Sequence, residues 1–112
     1  MFPDWMINAP KPFSSVLVAN RGEIAVRILK AARESGIKGI AIYSDPDKNS
    51  LHVEVADESV HLPGKNLSET YLNMELIISA AKESGAQAIH PGYGFLSERA
   101  NFAKLVKDSG LI

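Results

Sequence analysis

The sequence contains no cysteine. A disulfide framework, a zinc ribbon and a thiol nucleophile are therefore excluded. The same absence fits a cytoplasmic protein, which is the location expected here. Charge of either sign is scarce in net terms: 12 basic residues face 13 acidic ones, for a formal net charge of -1. A nucleic-acid surface ordinarily needs a basic excess or stripe, so neither nucleic acid nor a membrane surface is expected as a partner. No apolar run approaches the roughly 20 residues that cross a bilayer. The first dozen residues hold Pro3, Pro10 and Pro12 and no basic residue before Lys11. They have neither the positive-then-apolar order of a signal peptide nor the arginine-rich pattern of a presequence. Residues 1–13 read as a poorly ordered extension, from which Trp5 and Phe13 have the apolar area to pack back.

What remains, residues 14–112, suits one domain, and the apolar fraction of the whole 112-residue sequence, 46%, is ordinary. Val16 to Ala19 is a short continuous apolar run, as expected of a strand covered on both faces. Glu23 to Ser35 has helical spacing, with Ile24, Ile28, Ala31 and Ala32 on one face and Ala25 and Leu29 beside them. Asn20 is the expected N-cap, and Gly36 ends the helix. The alternation then repeats. Residues 39–43 read as a second strand, 44–50 as a loop, 51–56 as one or two helical turns, and 58–62 as a short strand near the sheet edge. Residues 68–71 read as a turn or a single helical turn. Asn73 to Ser84 is a second clear helix, with Leu76, Ile77, Ala80 and Ala81 inward. Ala88-Ile89-His90 is a fourth strand. Glu98 to Asp108 is a third helix, with Phe102, Leu105 and Val106 inward. Leu111-Ile112 reads as the start of a fifth strand, at which the sheet is expected to be truncated. Short apolar strands alternating with helices define an α/β fold, an open and mostly parallel sheet with helices on both faces.

Two strand-to-helix turns are candidates for chemistry, because open parallel sheets bind ligands beyond the C-terminal ends of their strands. The first is Val18-Ala19-Asn20-Arg21-Gly22-Glu23. A dinucleotide fingerprint needs several glycines for close approach to pyrophosphate. Only one is present, and Glu23 would oppose a phosphate, so NAD or FAD binding in the usual mode is rejected. The Walker lysine pattern is also missing. On residue type alone the stretch reads as a capped helix start with a solvated Arg21. The second turn is His90-Pro91-Gly92-Tyr93-Gly94-Phe95-Leu96-Ser97-Glu98. Gly92 and Gly94 permit backbone angles that other residues resist and are able to present Tyr93 at the sheet rim. Ser97 is the expected N-cap, with Glu98 in the first helical turn. The same residues also suit a tight structural turn, with Tyr93 and Phe95 in the core. His90 alone, without cysteine, is poor evidence for a metal.

The long stretch Val18 to Ile28 (VANRGEIAVRI) resembles the opening strand and helix of biotin carboxylases. Ala88 to Glu98 (AIHPGYGFLSE) resembles that family's second hallmark, and Ala56-Asp57-Glu58, Tyr71-Leu72-Asn73 and Ile78 to Ala81 are also similar. The resemblance runs from about Ser15 to Ile112. It implies a Rossmann-like pre-ATP-grasp domain of the kind found in acetyl-CoA, propionyl-CoA, methylcrotonyl-CoA and pyruvate carboxylases. It further implies a parent enzyme, an ATP-dependent ligase, in which ATP activates bicarbonate as carboxyphosphate and biotin on a carrier protein is then carboxylated, with magnesium or manganese on the phosphates. In the family the ATP-grasp module supplies the lid, nucleotide lysines, metal glutamates and catalytic arginine. All of these match nothing up to Ile112. No catalytic residue, no metal site and no tightly bound cofactor are therefore expected within this chain, which is expected to be inactive alone. The resemblance places Tyr93 at the biotin and bicarbonate end of the cleft, with Gly92 and Gly94 shaping its loop and His90 and Glu98 in support. Arg27, Lys30 and Glu34 resemble the face that pairs subunits in dimeric members. As plain helix surface the same face would hold Glu23–Arg27 and Lys30–Glu34 pairs. Expected partners are the ATP-grasp module, the biotin carboxyl carrier, a carboxyltransferase and a second copy of the parent. The alternative is a stand-alone dimerisation or interaction domain without catalysis.

Overall fold

The computed structural model describes residues 13–92, 94–97 and 99–112. Strand β1 (Ser15–Val18) pairs in parallel with β2 (Lys38–Tyr43) on one side and with β4 (Ala88–His90) on the other. Strand β3 (Glu58–His61) pairs in parallel with β2 and lies at the edge, giving the order β3-β2-β1-β4. Leu17 lies opposite Ile40 and Ile89 in the ladder, which fixes which residues share a face.

Side chains alternate along a strand, and the continuous apolar run of β1 serves both faces. Leu17, Ala19, Ile40 and Ile42 pack in one cluster with residues of α3 (Met74–Ser84) and α4 (Ala100–Asp108). Val18 and Ala41 pack in another with Ala25, Ile28 and Leu29 of α1 (Gly22–Glu34). Helices therefore cover both faces, as the strand composition requires. Such short helices are marginal alone in water; α1 is held by burying Ala25, Val26, Ile28, Leu29 and Ala32. The similar endings of α1 and α3 have one cause. The Ile37 amide donates to the Ala32 carbonyl at 2.8 Å, and the Ala86 amide to that of Ala81 at 2.9 Å. Both are the closing bond of a Schellman motif.

The short helix α2 (Leu51–Val55) buries His52, whose Nε2 bonds the Ile42 carbonyl at 3.0 Å. Phe13, read from the sequence as part of the extension, packs against Val16, Ala32, Ile37 and Ala88; Trp5 lies outside the described residues. Ile112 runs alongside β4. Its amide donates to the Gln87 carbonyl at 3.1 Å, and its carbonyl accepts from the Ile89 amide at 3.0 Å. That is the bonding expected where a fifth parallel strand begins.

Candidate functional site

The strand order reverses at β1: β2 and β3 follow on one side and β4 lies on the other. In an open α/β sheet the crevice at such a reversal, beyond the strand C-termini, is where ligands bind. The two sequence-selected turns meet there. The Ala19 amide donates to the His90 carbonyl at 2.9 Å. Asn20, expected to cap α1, does something else. Arg21 occupies the capping position without a side-chain cap bond. The Asn20 Oδ1 accepts from the Arg21 amide at 2.8 Å, and its Nδ2 donates to the Pro91 carbonyl at 2.9 Å. Asn20 thus ties the first turn to the second, and at 2% exposure it could not be left unbonded cheaply.

Gly92 sits at φ 67°, where a Cβ would lie 2.9 Å from Asn20 Nδ2 and 2.9 Å from Ile24 Cγ2. Its glycine is required both by backbone conformation and by contact with the first turn. Gly94 has the same φ but faces open space. The expected cap at Ser97 is also corrected. Helix α4 starts at Ala100 with Arg99 in the capping position. The Ser97 hydroxyl instead donates back to the Gly94 carbonyl at 2.7 Å, closing the loop on itself. His90 lies at the β4 terminus, and its Nδ1 accepts from the Gly92 amide at 3.1 Å. Burial lowers its pKa below the ordinary histidine value, in keeping with a neutral ring that accepts at Nδ1. Tyr93 and Glu98, the other expected members of this loop, lie outside the described residues.

Arg21 is not simply solvated. Its guanidinium pairs with Asp47 at 2.5 Å and lies 5.7 Å from the centre of the Tyr71 ring. The Tyr71 hydroxyl donates to Asp47 Oδ2 at 2.7 Å and accepts from the Ser44 amide at 3.3 Å. Burial, then the bond to the Asp47 carboxylate, pushes the Tyr71 pKa up to about 12. The other face of the loop is reached through Phe95, whose ring stacks on that of Tyr71 at 5.5 Å and 13°. Sequence reasoning missed Asp47 and Tyr71 as a pair. Both sit in non-periodic segments, and the only available signal was a carboxylate and a tyrosine beside an arginine-bearing turn. A cleft of about 180 Å³ opens beside them, lined by Arg21, Ser44, Lys65, Asn66 and Thr70 among others.

Arg27, Lys30 and Glu34 lie on the exposed side of α1, away from the loop contacts. Arg27 pairs with Glu23 at 3.2 Å. The expected Lys30–Glu34 pair is not formed among the described residues, which leaves both heads in solvent. No group of three or more His, Asp or Glu able to hold a metal occurs among the described residues. Arg21, in the turn after β1, is already committed to Asp47. These described residues do not by themselves make a metal centre.

Residues 12–112 match the family model described as the biotin carboxylase N-terminal domain. The chain belongs to this family. Urea amidolyase of Lachancea kluyveri is 56% identical over 102 residues, which is 91% of this chain and 6% of that protein. The crystal structure of Kluyveromyces lactis urea carboxylase superimposes with a TM-score of 0.90 at 57% identity, over 92% of this chain and 9% of that one. The biotin carboxylase domain dimer of Hydrogenobacter thermophilus 2-oxoglutarate carboxylase, solved with MgADP, ADP and bicarbonate, gives a TM-score of 0.83 at 50% identity, over 88% of this chain and 22% of that one. The chain spans a small part of each of these relatives, between 6% and 22% of their length. The structural match at a TM-score of 0.90 agrees with the parallel fold.

Proposed function

We propose that this domain forms one wall of the biotin and bicarbonate end of the cleft in a biotin carboxylase, an ATP-dependent ligase. In that reading ATP and bicarbonate yield carboxyphosphate and ADP. The carboxyl group then passes to the ureido nitrogen of carrier-bound biotin and phosphate is released. The ATP-grasp module holds ATP and the magnesium or manganese. The glycine loop carries Tyr93, which positions biotin; Gly92 and Gly94 set the loop's backbone, and His90 and Glu98 support it. Arg27, Lys30 and Glu34 contribute to pairing of two parent subunits. Further partners are the biotin carboxyl carrier and the carboxyltransferase that selects the final acceptor. The division into an extension over residues 1–13 and a domain over 14–112 belongs to the same reading, as does a cytoplasmic location; among the described residues no helix is long and apolar enough to cross a membrane.

The observation that carries the reading is the family's glycine loop lying at the sheet reversal, bonded to the first turn through Asn20 and Pro91. The test is Tyr93→Ala in the full-length carboxylase built on this domain. The expected result is a biotin KM raised by roughly tenfold or more, about the loss of one good contact, with ATP affinity retained. An unchanged KM and kcat for biotin contradicts the assignment.

A further inference from the structure

Phe95 is a non-glycine residue with positive φ, at 45°. A side chain in that region is strained and persists only where its surroundings over-determine it. The flanks supply part of the constraint: Leu96 is fully buried, and the Ser97 amide and hydroxyl both donate to the Gly94 carbonyl, at 2.9 and 2.7 Å. The Phe95 ring itself rests on Tyr71, nearly parallel at 13°. Tyr71 is in turn fixed at its far end. Its hydroxyl is shared between Asp47 and the Ser44 amide, Asp47 is paired with Arg21, and the Arg21 guanidinium lies over the Tyr71 ring. Four segments distant in sequence converge on this ring: the turn after β1, the loop after β2, residues 66–73, and the glycine loop.

We propose that Tyr71 is a positioning residue for the glycine loop: clamped by Asp47 and Arg21, its ring holds Phe95 in the left-handed conformation and thereby sets the backbone of residues 94–97. A tyrosine that merely filled the core would stabilise the whole sheet alike. One that positions the loop acts on the loop selectively. The catalytic consequence rests on the proposed function above; the structural content does not.

Hydrogen exchange on the 112-residue chain tests the structural content. In Tyr71→Leu and in Phe95→Leu the Ser97 amide is expected to exchange roughly three- to tenfold faster, the range set by losing one aromatic pair. The β1 amide of Leu17 should keep its rate. Tyr71→Phe, which preserves the stack, should recover most of the protection. If Tyr71→Leu fails to fold, Phe95→Leu, at a partly exposed site, decides the matter. Unchanged Ser97 exchange, or equal acceleration of Leu17 and Ser97, overturns the proposal. In the full-length carboxylase the same two variants should raise the biotin KM by a similar factor and by more than they lower kcat. The double variant should be no worse than either single one, because both break one contact. Faster Ser97 exchange with an unchanged biotin KM would contradict the proposed function and leave the positioning role of Tyr71 standing.

Discussion

Tyr71 has no exposed surface, yet its hydroxyl has two partners, one of them a carboxylate. Burial and the adjacent Asp47 both disfavour the phenolate, which is why the pKa rises from 10.0 to about 12. An acid whose pKa is raised on folding stabilises the fold fully below its unfolded pKa and loses that contribution as pH climbs to the folded value. Stability should therefore fall between about pH 10 and pH 12 by an amount on the order of 2–3 kcal/mol from this group alone. Tyr71→Phe removes the ionisable hydroxyl. Its urea unfolding midpoint should be lower than wild type at pH 8, where Asp47 loses a donor, and the gap should narrow as pH rises past 10. A constant gap from pH 8 to pH 12 would show that the phenol does not titrate differently in the two states.

At the scale of the element, the glycine loop and the first turn behave as one unit because Gly92 and Asn20 are in contact. Gly92→Ala would add a methyl 2.9 Å from Asn20 Nδ2 and from Ile24 Cγ2, at φ 67°. Overpacking and left-handed strain together should cost about 2–4 kcal/mol. Gly94→Ala meets no atom within 4 Å at the same φ, so strain alone remains, about 1–2 kcal/mol. Equilibrium denaturation of both variants checks the difference, and equal losses would mean that the contact with Asn20 is not made. The elements themselves were readable in the sequence because their signals are local. The apolar run at residues 16–19 needed two covered faces, and the helical stripe of residues 23–35 needed one. The capping residues were misjudged for a physical reason. Asn20 and Ser97 both bear side chains that bond nearby backbone, and which backbone they choose depends on tertiary neighbours: Pro91 for Asn20, the Gly94 carbonyl for Ser97. The Asp47–Tyr71 pair was invisible for a related reason, since its two members are brought together only by the closure of the sheet.

For the whole molecule, the arrangement is a parallel sheet whose rim carries a structured loop, and no group of three or more His, Asp or Glu able to hold a metal occurs among the described residues. One helix surface, bearing Arg27, Lys30 and Glu34, remains open to solvent. Family membership was legible from two long motifs in the right order, whereas the chemistry of the rim was not, because the side chains that organise it come from loops without periodicity. In the proposed function these 112 residues contribute a cleft wall and not the phosphoryl-transfer machinery. Biotin-dependent release of phosphate from Mg-ATP, measured with bicarbonate for this chain alone and for the same chain continuous with an ATP-grasp module, tests that most directly. No turnover is expected for the chain alone and clear turnover for the extended form. Turnover by the 112 residues themselves, or a well-folded extended form without any, would contradict it.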